Sequence, residues 1–486
     1  MINIAQGNET VTSVAGIGLV GGLLRHCPSL VRLDALRLER TKHGRIPHSR
    51  VVLCGICLAA LGMNDYADVE DFAADPLFLD AVGGALPSEE TCRQRIGQLG
   101  ADGRALGVLD DVVVELLRGV EPGRVTVGGR KLVVLDIDVS VMAEPCSEHK
   151  EDVGWTYKGE NGYAPIFAYL GTKGYALAAE LRPGTQHCSK EALPFLRRCV
   201  ALAGRRLGFA PEELLVRVDS GHDDAKFLAE LQKMGVKFIV KRNFRREDQE
   251  AAKALARGSG REWRADRDWS SCRASPGSSD SESRFGVNGI RQFAELTVKK
   301  ADRNGQPLLI PEELECWWTN LDCSAGTCIR LYHGHGTSEQ CHAELKGDMR
   351  LERLPGGKMG ANAVTLACGM LALDCLRLIG RHALDHARRR RGVPKRLRRR
   401  LRMRARTVID TMPGSRGMSS GTREPSRSGS ARPSGTSRRS SGCSSDVVCN
   451  ERITEQRTGF LHPRHPGRGG GGASQKRENT TEHDKT

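Results

Sequence analysis

The spacing of apolar residues changes character once along this chain, near residue 125. Before it, apolar positions recur at helical intervals in GIGLVGGLL, VVLCGICLAAL, DFAADPLFLDAV and LGVLDDVVVELLRG, the pattern of amphipathic or buried helices. Between the last two lies LPSEETCRQRIGQL, where Ser88 is placed to cap a helix and Glu89 and Glu90 to face its positive end. After residue 130 short β-branched runs take over. KLVVLDIDVS reads as a strand, APIFAYL and YALAAEL as a hairpin around Gly171 and Gly174, LLVRVD as a buried strand and KFIVKRN as another. Helices are expected at SKEALPFLRRCVALAG, opened by Ser189, and at DDAKFLAELQKMG, closed by Gly235. The order β-β-β-α-β-α-β is that of an RNase H-like core, an α/β fold with a mixed sheet flanked by helices.

That order is interrupted over residues 245–314. The segment opens polar and Ser/Arg-rich, then RQFAELTVKKADRNGQPLLI reads as a hairpin around Asn304-Gly305. ECWWTNLD resumes as a strand. MGANAVTLACGMLALDCLRLIG is apolar nearly all round, but an Asp and an Arg inside it suit a buried helix better than a bilayer span. From Asp410 onward large apolar residues almost vanish, so the segment cannot offset its ordering entropy and is expected to be disordered. Its abrupt onset fits either a change of coding frame or a natural low-complexity tail. The expected division is an all-α DNA-binding region at 1–125, the core in two parts at 126–244 and 315–406, a β-rich insertion at 245–314 and a disordered basic tail at 407–486.

Charge sharpens this picture. The formal net charge is +15, yet residues 381–406 alone hold 13 Lys/Arg against one Asp. So many cations in one run repel one another, which favours a nucleic-acid partner over a merely solvated helix. Arg93 and Arg95 follow Ser88 on a short helix that either enters a DNA groove or lies on the surface. Sixteen cysteines without a framework, behind a start (MINIAQGNET) lacking a basic leader, predict reduced thiols in a cytoplasmic protein. Cys54 and Cys57 form a CxxC inside an apolar run and are expected to be core. Cys146/His149, His187/Cys188 and His333/His335 fit no standard zinc spacing. Gly16, Gly18 and Gly21 match G-x-G-x-x-G, but no βαβ unit follows to give the motif meaning.

The candidate chemistry rests on acids at element ends. In VLDIDV, two-residue alternation places Asp136 and Asp138 on one face, opposite Val133, Leu135, Ile137 and Val139. A carboxylate inside an apolar strand is costly unless paired or bound to metal. LLVRVD ends in Asp219, and Glu339 opens a helix in YHGHGTSEQCHAELK. Three converging carboxylates are tolerable with divalent cations between them, and two Mg²⁺ ions suit an in-line phosphoryl displacement. Signatures of P-loop, nucleophile-elbow and HExxH chemistry are absent.

At these residues the chain resembles the DDE transposases of bacterial insertion sequences, in the group with a Tyr-Arg-Glu-Lys signature and a β-rich insertion before the glutamate. Tyr332, His335, Glu339 and Lys346 stand at the spacing Y-x₂-R-x₃-E-x₆-K. LDIDVS is similar to the strand of the first aspartate, which maps to Asp138; VDSGHDDAKF is similar to the second block, giving Asp219. WWTN, GANAVTLACGMLAL and PSEETCRQR resemble further blocks, so the likeness covers residues 15–406. It implies that Asp138, Asp219 and Glu339 hold two Mg²⁺ ions (with Mn²⁺ as a substitute), Asp136 being a secondary candidate. It also implies DNA contacts at Tyr332, at the signature position His335 and at Lys346, with Lys346 within about 20° of Glu339 on one helix face. Trp317 or Trp318 is expected either to stack on DNA or to be buried in the sheet. The implied activity is endonucleolytic cleavage of a mobile element's inverted-repeat ends and strand transfer to target DNA. It would be carried out by a homodimer on double-stranded DNA in a bacterial, nucleoid-associated setting with no membrane. The alternative is an inactive relic that only binds DNA. His335 departs from the signature's Arg and cannot fork onto a phosphate, which predicts a weaker grip.

Overall fold

A computed structural model of the protein describes residues 14–38, 46–144, 149–244, 289–299 and 312–389, with Thr12 and short pieces between 249 and 274. The expected basic run beyond 389, the tail from 407 and the Asn304-Gly305 turn lie outside the described residues. The chain opens with helices α1 (Ile17–Leu24), α2 (His48–Ala60), α3 (Pro76–Val82), α4 (Glu89–Asp102) and α5 (Arg104–Leu117). Their ends follow from the local sequence. Asp75 accepts hydrogen bonds from the Leu77 and Phe78 amides at 3.0 and 2.9 Å with Pro76 at the first helical position. Ser88 accepts from the Thr91 amide, as expected. Gly21, in the dinucleotide-like motif, serves helix packing instead: a Cβ there would lie 2.5 Å from the Ala81 carbonyl oxygen of α3.

The sheet is mixed. Strands β1 (Arg124–Val127), β2 (Arg130–Val139), β3 (Met142–Ala143), β4 (Gly154–Trp155), β5 (Asn161–Tyr163), β6 (Ile166–Leu170) and β7 (Tyr175–Glu180) are followed by α6 (Ala192–Ala201), β8 (Leu214–Val218), α7 (Ala225–Lys233) and β9 (Lys237–Lys241). β2 pairs antiparallel with β6, and β6 with β7, while β2–β8 and β8–β9 are parallel. Helix α6 opens two residues later than a cap at Ser189 would give, because Glu191, at φ 58°, turns the chain into it.

The segment expected as an insertion continues this sheet. β10 (Glu262–Ala265), β11 (Trp269–Ala274), β12 (Arg291–Lys299) and β13 (Glu312–Thr319) extend it, and β13 pairs antiparallel with β9. β12 and β13 pair antiparallel, with Arg291 opposite Thr319 and Val298 opposite Glu312. β3, β5 and β4 form a separate small sheet.

Two apolar clusters cover the two faces. On one, Val133, Leu135 and Ile137 of β2 join α1–α7 and the long helix α10 (Met359–Arg389). On the other, Val134, Leu215, Ile239 and Trp317 pack against Ile329 and Tyr332 of α8 (Ala325–His333). The N-terminal helices therefore share one core with the sheet and α10 and have no separate core of their own. α10 is long and apolar enough to span a bilayer, but 67% of that stretch is buried inside the protein, the arrangement of a core helix. Cys54 and Cys57 are buried in α2, and burial pushes the Cys57 thiol up to about 12. No two described cysteines are bonded.

α4 crosses α10 at two glycines. A Cβ on Gly100 would lie 2.2 Å from the Gly360 carbonyl carbon, so backbone meets backbone there. Gly100→Ala should lower stability by about 1–3 kcal/mol, as overpacking does, measured by urea denaturation with the slope unchanged.

Candidate active site

β2 and β8 lie side by side in parallel, with Ile137 opposite Val218 as their last paired residues. Asp138 and Asp219 are each one step further on, at the carboxyl ends of adjacent parallel strands, where open α/β sheets place ligands. The facing element runs from α8 through a 3₁₀ turn (Gly334–Gly336) into α9 (Thr337–Ala343), which widens into a π turn over Glu344–Asp348.

Asp136 is taken up by an internal ion pair. It is buried, and Arg217 of β8, directly opposite in register, donates to both its oxygens at 2.6 Å. Arg217 also donates to the carbonyls of Leu331 and Gly334, the latter at 3.1 Å, closing the end of α8. His335 Nδ1 lies 2.9 Å from Asp136 Oδ1 and the ring is buried. Burial alone would favour a neutral His335. The hydrogen bond and charge of Asp136, helped by Asp138 and opposed by Arg217, hold its pKa above the ordinary histidine value. Both Asp136 oxygens thus accept from Arg217, and His335 faces inward beside them.

Asp138 keeps 18% of its side chain exposed. Its Oδ2 faces His342 Nε2 at 3.2 Å and accepts from the Ser338 hydroxyl at 3.3 Å, both from α9. The other His342 nitrogen lies 3.0 Å from the Tyr169 hydroxyl of β6. Burial raises the Asp138 pKa, but His342's bond and charge outweigh it and hold the carboxyl below its usual value. Asp219 is 46% exposed. Its Oδ1 faces the buried His222 Nδ1 at 2.8 Å and accepts the Gly221 amide at 3.2 Å, while Oδ2 has no partner among the described residues. Glu339 is exposed in the first turn of α9, and no described residue bonds its carboxylate. Lys346 donates to the Val141 carbonyl at 2.6 Å, just past the end of β2. It sits in the π turn, so the 3.6-residue spacing that aligned it with Glu339 is interrupted. Burial and then the Lys158 charge lower its pKa.

Tyr332 is buried, its ring 5.6 Å from Trp317 and 5.7 Å from His335, and burial pushes its phenol well above the usual range. It supports the site from beneath and does not face solvent. Trp317 and Trp318 are both buried as well. Arg93 is exposed but paired with Glu89 and Glu90 on its own helix. Arg95 turns inward to His48 Nδ1 at 2.8 Å. The α4 arginines thus present little free positive charge.

The donor set fits a hard cation: three carboxylates, with Asp219 Oδ2 and both Glu339 oxygens open. These three acids do not fall within 4.8 Å of one another; among the described residues Glu295, Glu315 and His333 do. Glu315 there already faces Lys241 at 2.5 Å. The sequence reading missed Arg217, His222, Ser338 and His342. Arg217 left a signal, since a cation inside the otherwise apolar LLVRV implies a buried anion beside it.

The chain belongs to the DDE transposases: the family model for the transposase DDE domain, group 1, matches residues 2–412. The fold is also similar to the piggyBac transposase in a cryo-EM synaptic complex with hairpin DNA, at 10% identity and a TM-score of 0.39, covering 84% of this chain and 83% of that one. No protein of curated function matches the chain.

Arg217→Met should cost about 3–5 kcal/mol by stranding Asp136, and adding Asp136→Asn should recover much of it, read by chemical denaturation. The His335–Asp136 contribution is complete below the ordinary histidine pKa and is lost as pH rises through the higher folded value. Stability should therefore decline from about pH 6.5 upward, and His335→Gln should flatten that slope.

Proposed function

We propose that this transposase cuts DNA at the inverted-repeat ends of its element and joins the freed 3′-ends to target DNA. Asp138, Asp219 and Glu339 would bind two Mg²⁺ ions, or Mn²⁺ in their place. The observation that carries this reading is the adjacency of Asp138 and Asp219 at the ends of parallel strands, bridged to the Glu339 helix through Ser338 and His342. The strand order β7-β6-β2-β8-β9 supports an RNase H-like core. Divalent cations at such a set supply an activated attacking hydroxyl and charge stabilisation on the leaving oxygen.

The chain's own residues supply position. His342 and Ser338 orient Asp138, and His222 orients Asp219, which restricts the rotamers these two carboxylates adopt. Arg217 and Asp136 fix the turn that carries Glu339. Lys346, already beside the strand end, grips a phosphate oxygen in place of the Val141 carbonyl. Assembly as a dimer on paired ends, in a bacterial cytoplasm at the nucleoid, completes the reading.

Asp219→Asn and Glu339→Gln should each lower Mg²⁺-dependent nicking of an end-containing duplex by at least about 100-fold, the scale of losing one electrostatic stabiliser. Duplex binding in EDTA should stay within twofold. Nicking by Asp219→Asn at the unaltered rate would sink the assignment. Binding without nicking by the unaltered protein would leave the inactive DNA-binding alternative.

A further inference from the structure

We propose that Trp155 and Tyr157 form a stacking platform for an unpaired nucleobase, set beside the strand-cutting carboxylates. The proposal deepens the reading of that edge as the cleavage site and rests on it. Four large hydrophobic side chains are exposed among the described residues: Leu19, Val31, Trp155 at 64% and Tyr157 at 66%. The two aromatic ones stand two residues apart, Trp155 at the end of β4 and Tyr157 in the turn that follows it.

That turn is built to hold them out. It joins β4 to β5 in the small sheet that branches off just beyond the end of β2. The Thr156 amide and hydroxyl donate to the Glu160 carbonyl at 2.9 and 2.8 Å, and the Gly159 amide returns to the Thr156 carbonyl at 3.0 Å. Beneath it backbones touch: a Cβ on Gly162 would lie 2.1 Å from the Met142 carbonyl oxygen, and one on Gly184 as close to that of Gly162. A rigid base costs a binding surface little ordering entropy.

The neighbourhood selects the ligand. The Tyr157 hydroxyl donates to the Val139 carbonyl at 3.4 Å, one residue past Asp138. The charges of Asp138 and Asp219 both act on its phenol. Lys158 follows it, and its charge is felt by Lys346. Exposed aromatic side chains beside Lys158 and the proposed cleavage site match a strand whose backbone is anionic and whose base is free. Bases stacked inside a duplex have no open face, so the occupant is an unpaired one, as in single strands.

The test measures fluorescence anisotropy of the full-length protein in EDTA, with a labelled oligothymidylate and a blunt duplex of equal length. Trp155→Ala with Tyr157→Ala should weaken single-strand binding about 5- to 150-fold and leave duplex binding within twofold. Trp155→Phe should retain single-strand binding. An unchanged single-strand affinity overturns the proposal. So does an equal loss on both probes in a protein of unaltered melting temperature, or a loss of self-association, which would make the aromatics a contact between copies. The readout is binding without metal and the cleavage assignment is read by nicking with Mg²⁺, so failure of the cleavage assignment and failure of the platform give different results.

Discussion

The structure turns on one buried ion pair. Asp136 and Arg217 sit opposite each other on the two central parallel strands, both out of water. Removing two charges from solvent is expensive, and only full pairing makes the arrangement tolerable. The pairing is complete: both Asp136 oxygens are used, and Arg217's remaining donors reach backbone carbonyls of the α8–α9 connection. Those carbonyls can therefore lie in only one place relative to the sheet. Everything C-terminal to them, including Ser338, Glu339 and His342, inherits that position.

From this anchor outward the acids form a graded series. Asp136 is buried and neutralised by Arg217; Asp138 is partly open and held by His342; Asp219 is nearly half exposed and held by His222; Glu339 is open. Each aspartate has a histidine of its own, and repulsion between like charges is relieved without their being drawn together. The inner acid is fully buried and the outer three keep some exposure, a division set by depth and not by residue type.

Much of this was legible in the sequence. Two-residue alternation in VLDIDV placed the aspartates on one face, and strand length, hairpin glycines and the Ser88 cap gave most of the core elements. The roles of Asp136 and His335 were not legible, because they depend on Arg217, a neighbour 81 residues from Asp136 that only strand pairing brings near. The π turn that carries Lys346 was not legible either, because it leaves no mark in a 3.6-residue count. The α4 arginines looked free in sequence, since Arg95's partner His48 comes from another helix.

The contact between α4 and α10 bears on how the protein is made. The N-terminal helices emerge first from the ribosome, yet the surface that covers them belongs to a helix starting at Met359. Until that helix is synthesised, the part of their apolar surface that it covers stays open, and a nascent chain must carry it so for more than 200 residues of translation. Completion of the fold is thus tied to completion of the polypeptide, and a prematurely terminated product would be a substrate for chaperones and proteases before it could ever approach DNA.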